Sequence, residues 1–128
     1  MRNKDKHKGF AKLLYKVLYS IRGLIYFYKT EKSAFIHMAA SLVMIILSIV
    51  FNISLTEWMV VVVCLLSILS MEIINTSMEV TVDMITMEYN ENAKNAKDLG
   101  SGATFIVSCM TFVCAMIIFI PKIISLFN

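Results

Sequence analysis

The sequence predicts an all-α membrane protein: an amphipathic N-terminal surface helix followed by three transmembrane helices. Three observations lead there. First, 59% of the 128 residues are hydrophobic, with one Pro and four Gly, whereas soluble domains average about 45–50% apolar; the mean hydropathy is +0.76. Second, the apolar runs 34–50, 58–71 and 103–120 each come near the ~20 residues that cross a hydrocarbon core. Third, the second run continues into a polar face that lipid cannot solvate.

In chain order, nine of the twelve basic residues precede the first run: Arg2, Lys4, Lys6, Lys8, Lys12, Lys16, Arg22, Lys29 and Lys32. The positive-inside rule places this end in the cytoplasm. Over 10–28, Phe10, Leu13, Leu14, Val17, Leu18, Ile21, Leu24 and Ile25 recur at helical spacing with Lys12, Lys16 and Arg22 among them, the pattern of a helix lying in the membrane interface. A polar stretch, with no small-residue cleavage site, follows it, so a cleavable signal peptide is not expected. The spans are expected at about 33–51, 58–84 and 101–120, within one domain covering 1–128. Residues 51–57 carry no Lys or Arg and suit an outer turn, with Trp58 as its interfacial anchor. His37 reads as a polar contact between helices rather than a metal ligand, having no second His nearby. Cys64, Cys109 and Cys114 lie in apolar runs without CxxC spacing and read as core packing.

The second run ends in Glu72, Asn75, Glu79 and Asp83. At ~100° per residue these point to about 0°, −60°, −20° and +20°, one helix face. Each charge there would cost ~2.5–3.5 kcal/mol if exposed to lipid; a divalent cation with a phosphate ligand would neutralise them. Running inward from Trp58, the second span brings them to the depth of Glu31 at the cytoplasmic start of the first. Residues 84–98 then read as a cytoplasmic loop, and Gly100, Ser101, Gly102 and Ala103 as small residues for close packing where the third span opens. That span is expected to end at Ile120, with Pro121-Lys122 leading to an outside C-terminus. A transporter or channel subunit would also carry intramembrane acids, but here they cluster at one boundary. A structural scaffold would not need four polar groups on one face. No nucleic-acid partner is expected.

Glu72-Ile-Ile-Asn-Thr-Ser-Met-Glu79, Asp83 and Ala96-Lys-Asp-Leu-Gly-Ser-Gly-Ala103 resemble the signature of the prokaryotic diacylglycerol kinase family, roughly E-x-x-N-[ST]-A-x-E-x-x-x-D, a loop, then A-K-D-x-[GA]-[SA]-[GA]-A. Tyr19-Ser-Ile-Arg-Gly-Leu24 and the Glu31 that follows are similar to its surface helix and first span. The resemblance runs from about residue 10 to 120. It implies a homotrimer in the bacterial cell membrane, with active sites at the cytoplasmic boundary between subunits. The implied reaction is ATP- and magnesium-dependent phosphorylation of a membrane lipid alcohol: undecaprenol in the Gram-positive branch, diacylglycerol in the other.

By the same resemblance, Glu72 is the general base on the lipid hydroxyl, and Glu31 and Glu79 hold Mg²⁺. ATP would meet Tyr19, Glu31, Asn75, Glu79, Glu88, Tyr89, Lys97 and Asp98; the lipid would meet Lys12, Glu72 and Ser101. The chain departs from the pattern at Ser77, where the family usually has Ala. Asn90 and Lys12 stand where the diacylglycerol branch can have His and Arg. Phe35-Ile36-His37 reads like the Arg-Ile-His stretch of the Gram-positive branch. With the composition rich in Lys, Asn and Ile, this leans toward undecaprenol, with diacylglycerol as the alternative. The implied chemistry agrees with the residues, since phosphoryl transfer needs positioning, charge neutralisation and a base beside the attacking hydroxyl.

Overall fold

Long apolar runs favour helix, and short polar segments decide where each helix stops. The computed structural model describes residues 10–127, so Arg2, Lys4, Lys6 and Lys8 lie outside the described residues. The chain forms α1 (Phe10–Thr30), α2 (Lys32–Val50), α3 (Leu55–Ile85) and α4 (Glu91–Ile124), with no strand among the described residues. The last three are long and apolar enough to cross a membrane.

α1 ends against α2 at one residue, Glu31. Its amide donates to the Phe27 carbonyl at 2.9 Å, completing α1, while its own backbone is extended (φ −99°, ψ 120°). Its carboxylate makes no hydrogen bond to cap α2.

The turn from α2 to α3 is closed by backbone bonds. Asn52 adopts φ 44°, in the left-handed region that Asn tolerates better than most residues. The Ile53 amide then reaches the Ser48 carbonyl at 3.2 Å and the Asn52 amide that of Ile49 at 3.0 Å. These are the two bonds of a Schellman motif. α3 starts at once with a capping box: the Ser54 hydroxyl accepts from the Glu57 amide at 3.3 Å, and the Ser54 amide donates to Glu57 Oε2 at 2.6 Å. The other oxygen of Glu57 meets Lys122 Nζ at 3.2 Å, tying the start of α3 to the end of α4.

α3 and α4 form an antiparallel pair, and their register is set at three levels. Glu57 meets Lys122 at one end, Gly100 packs on Asn75 midway, and Lys97 donates to Asp83 at the other. Near the first of these ends, Ile53, Val61, Ile118 and Phe119 are buried together, with Leu47, Phe51 and Trp58 packed against them. Elsewhere large apolar side chains face outward; Val63, Phe105 and Phe112 are each more than 60% exposed. Water would penalise such surface heavily, whereas lipid would not. α3 has 31 residues, about 46 Å at 1.5 Å per residue, more than a ~30 Å hydrocarbon core.

Two sequence expectations are corrected here. Much of the expected loop 84–98 is helical: only residues 86–90 separate α3 from α4. Asn90 caps α4 by accepting from the Asn92 and Ala93 amides at 3.0 and 3.1 Å, and Ala-Lys-Asn-Ala-Lys continues it with mostly strong helix formers. At the other end α4 continues through Pro121 to Ile124 instead of stopping at Ile120. Proline removes one amide donor, to the turn before it, but permits the turn that follows. The cysteines form no disulfide; Cys64 is buried, Cys114 half-buried and Cys109 exposed.

Replacing Ser54 with Ala removes one arm of the capping box and should destabilise the fold by about 1 kcal/mol. A lowered midpoint of unfolding in detergent, without altered helix content, is the expected measurement.

Candidate active site

The polar face of α3 opens into a cavity of about 450 Å³ near the end of the bundle opposite the apolar core. Each element supplies its part for a local reason. Glu31 enters because it is the junction of α1 and α2 and leaves its carboxylate out of the cap. α3 supplies Glu72, Asn75 and Glu79, three and four residues apart, and therefore stacked on one face. α4 supplies Ser101, Thr104 and Ser108. The last two donate their hydroxyls back to α4 carbonyls at 3.4 and 3.0 Å, which leaves their oxygen lone pairs as acceptors.

The acids are held by different partners. Glu72 lies at 2.8 Å from His37 Nε2 through Oε1 and accepts from the Ser33 hydroxyl at 3.3 Å through Oε2. Its side chain is only 12% exposed. Glu79 accepts from Asn75 Nδ2 at 3.0 Å. This leaves Asn75 Oδ1 buried without a hydrogen-bond partner, a state that costs about 1–3 kcal/mol if nothing fills it. Gly100 sits directly against that oxygen, and a Cβ built on it would lie 2.5 Å away.

A second cavity of about 420 Å³ adjoins the α3–α4 loop. It gathers Asp83, Glu88, Tyr89, Asn90, Lys94, Lys97 and Asp98. Lys97 is bound to Asp83, and Lys94 lies 3.3 Å from Asp98. The latter pair is more than half exposed and contributes little to stability.

The sequence-predicted residues thus fall into three groups. Glu31, Glu72, Asn75, Glu79 and Ser101 share the first cavity, and Glu88, Tyr89, Lys97 and Asp98 the second. Tyr19 and Lys12 are on α1 and line neither. The Tyr19 ring lies 6.3 Å from that of Tyr15, with the Arg22 guanidinium 5.9 Å from its centre.

Sequence reasoning treated His37 as an interhelical contact, and it is one, but the partner is Glu72 itself. The role of Ser33 carried no sequence signal. Of the two glycines read as packing residues, Gly100 meets Asn75, whereas a Cβ on Gly102 would meet nothing within 4 Å.

Could these residues hold magnesium? Among the described residues no three His, Cys, Asp or Glu side chains come together as a metal-holding group. Magnesium does not require that, since it is commonly bound by one or two carboxylates plus phosphates and water. Glu31 and Glu79, two carboxylates lining one cavity, fit such a partial oxygen shell.

The model of the family described as prokaryotic diacylglycerol kinase matches residues 18–119. The chain belongs to this family. It is therefore a lipid kinase, and its three apolar helices make it a multi-pass membrane protein. It is 29% identical over 123 residues to the undecaprenol kinase of Bacillus subtilis, covering 96% of this chain and all of that protein. It is 36% identical over 103 residues to a diacylglycerol kinase of Helicobacter pylori, covering 79% of each. With the diacylglycerol kinase of Pseudomonas aeruginosa the identity is 30% over 99 residues, covering 77% of this kinase and 80% of that one.

Gly100→Ala should push Asn75 away from Glu79 and lower the lipid phosphorylation rate about 5- to 150-fold, the rate equivalent of about 1–3 kcal/mol of overpacking falling on the site. Gly102→Ala should leave it nearly unchanged. Both rates are to be read in the same detergent on folded protein.

Proposed function

We propose that this kinase transfers the γ-phosphoryl group of ATP, with Mg²⁺, to the hydroxyl of a membrane lipid alcohol, undecaprenol ahead of diacylglycerol. The observation that carries the reading is the grouping of Glu72 with Glu31 and Glu79 in one cavity, Glu72 being the carboxylate nearest the apolar part of α3. Glu72 lies seven residues, about 10 Å along the axis, from Glu79, which separates an end for lipid from an end for nucleotide. Undecaprenol is favoured because the match to the undecaprenol kinase runs over nearly the full length of both chains.

In this reading Glu72 takes the proton from the lipid hydroxyl as its oxygen attacks the γ-phosphorus; the bond to the ADP oxygen breaks and ADP leaves. Bound magnesium, held by Glu31 and Glu79, would neutralise phosphate oxygens and orient them in line. Asn75 holds Glu79 in place. Lys97 and Asp98, with Glu88, Tyr89 and Tyr19, contact the rest of ATP; Lys12 and Ser101 flank the lipid. α1 lies in the membrane interface, with its basic residues toward anionic headgroups. The N-terminus and both cavities face the cytoplasm of a bacterial cell, and the working unit is a homotrimer.

Two carboxylate variants test the assignment together. Glu72→Gln should lower kcat by about 10²–10⁴ with nucleotide binding nearly intact, as loss of a general base does. Glu79→Gln should instead weaken nucleotide binding measured with magnesium. Normal turnover in folded Glu72→Gln would remove it from the base role. Side-by-side rates with undecaprenol and diacylglycerol decide the lipid, and faster diacylglycerol turnover would reverse the preference.

For the orientation, Lys4→Cys and Leu126→Cys are introduced singly after the three native cysteines are replaced. An impermeant thiol reagent should reach position 4 only from the cytoplasm and position 126 only from outside. The opposite pattern would separate the cavities from cytoplasmic ATP.

A further inference from the structure

The bond between His37 and Glu72 joins two different environments. Glu72 lines the polar cavity that also holds Glu31 and Glu79. His37, on α2, lines a separate groove of about 380 Å³ between α2 and α3 whose other walls include Ile45, Trp58, Val61 and Leu65. The contact is the shortest polar one that α2 makes to α3, at 2.8 Å, and both side chains are mostly buried, 22% exposed for His37 and 12% for Glu72.

We propose that His37 is a positioning residue for the phosphoryl transfer, acting through Glu72. The inference rests on the reading of Glu72 as the base. A base must be an ionised carboxylate, which can only accept hydrogen bonds. The 2.8 Å contact then assigns the Nε2–H tautomer to His37, which donates to Oε1. Ser33 donates to the other oxygen, Oε2, at the longer distance of 3.3 Å. Each carboxylate oxygen has two lone pairs, so Oε2 keeps one for the lipid proton.

His37 therefore fixes the rotation of the carboxyl group without consuming the acceptor the reaction needs. It takes no proton itself: the hydroxyl proton ends on Glu72, the O–H electron pair forms the new O–P bond, and ADP carries away the pair from the bond that breaks. Without the imidazole, a carboxylate on a membrane helix would turn toward whatever donor remained, and turnover would fall while the nucleotide end stayed intact.

The test uses the full-length kinase in detergent or bilayer with magnesium and ATP. His37→Leu removes the donor at similar bulk; His37→Gln keeps an amide N–H at about the reach of Nε2. We expect His37→Leu to lower kcat about 10–100-fold, the scale seen when a partner that orients a metal-ligating side chain is removed, with KM for ATP unchanged. His37→Gln should restore most of the rate. If His37→Leu does not fold, His37→Asn replaces it, since its amide is one methylene too short to reach Glu72. Wild-type kcat in the Leu or Asn variant, or a Gln variant as impaired as either, would overturn the proposal. So would a defect confined to thermal stability. Glu72→Gln in parallel separates the two ideas: if it turns over normally the base assignment fails, whereas an inactive Glu72→Gln beside a normal His37→Leu removes His37 alone.

Discussion

Carboxylates on an apolar helix dominate the architecture of this kinase. α3 carries Glu72, Glu79 and Asp83 on one face of a helix that is otherwise fit for lipid. An ionised carboxylate in hydrocarbon is costly, so each needs a partner, and each has a different one. Glu72 is met by His37 and Ser33 of α2, Glu79 by Asn75 of its own helix, and Asp83 by Lys97 of α4. Two of these three sets of partners lie on neighbouring helices and so tie α2 and α4 to α3.

The same constraint explains the division of the bundle into two ends. Around the α2–α3 turn there is no buried charge among the described residues: Ile53, Val61, Ile118 and Phe119 pack together, and the Glu57–Lys122 pair sits at its margin, about a quarter exposed. Such an end can be dry and rigid. The other end holds two polar cavities, where the packing gives way to open space. Gly100 links the two requirements, because helix contact and cavity geometry meet at the Asn75 side chain. Close apolar packing at one end thus holds open polar space at the other.

Neither cavity belongs to a single segment. The first draws on the α1–α2 junction, α3 and α4, and the second on both ends of the α3–α4 loop. That distribution lets Glu31 stand beside residues more than forty positions away in the chain. It also makes the unused cap of α2 meaningful: an acidic N-cap residue that did cap its helix would be turned away from the cavity.

Much was legible in the sequence because it depends on local periodicity. Apolar runs of membrane length give three spanning helices wherever they occur, and offsets of three, seven and eleven residues place Glu72, Asn75, Glu79 and Asp83 on one face of any helix. The spacing of acids, amide and Ala-Lys-Asp identified the family for the same reason. Helix ends were less legible: the apolar run marks where lipid begins, not where backbone hydrogen bonding begins, so α4 starts at its Asn90 cap, well before the apolar residues. The Ser54–Glu57 capping box was readable in principle, as a Ser three residues before a Glu ahead of an apolar run. What only the tertiary structure decided are the distances across helices. That His37 bonds Glu72, that Ser33 takes its other oxygen, and that Gly100 packs on Asn75 while Gly102 has open space where a side chain would go all depend on the crossing and rotation of helices far apart in the chain, and no period within one segment encodes those.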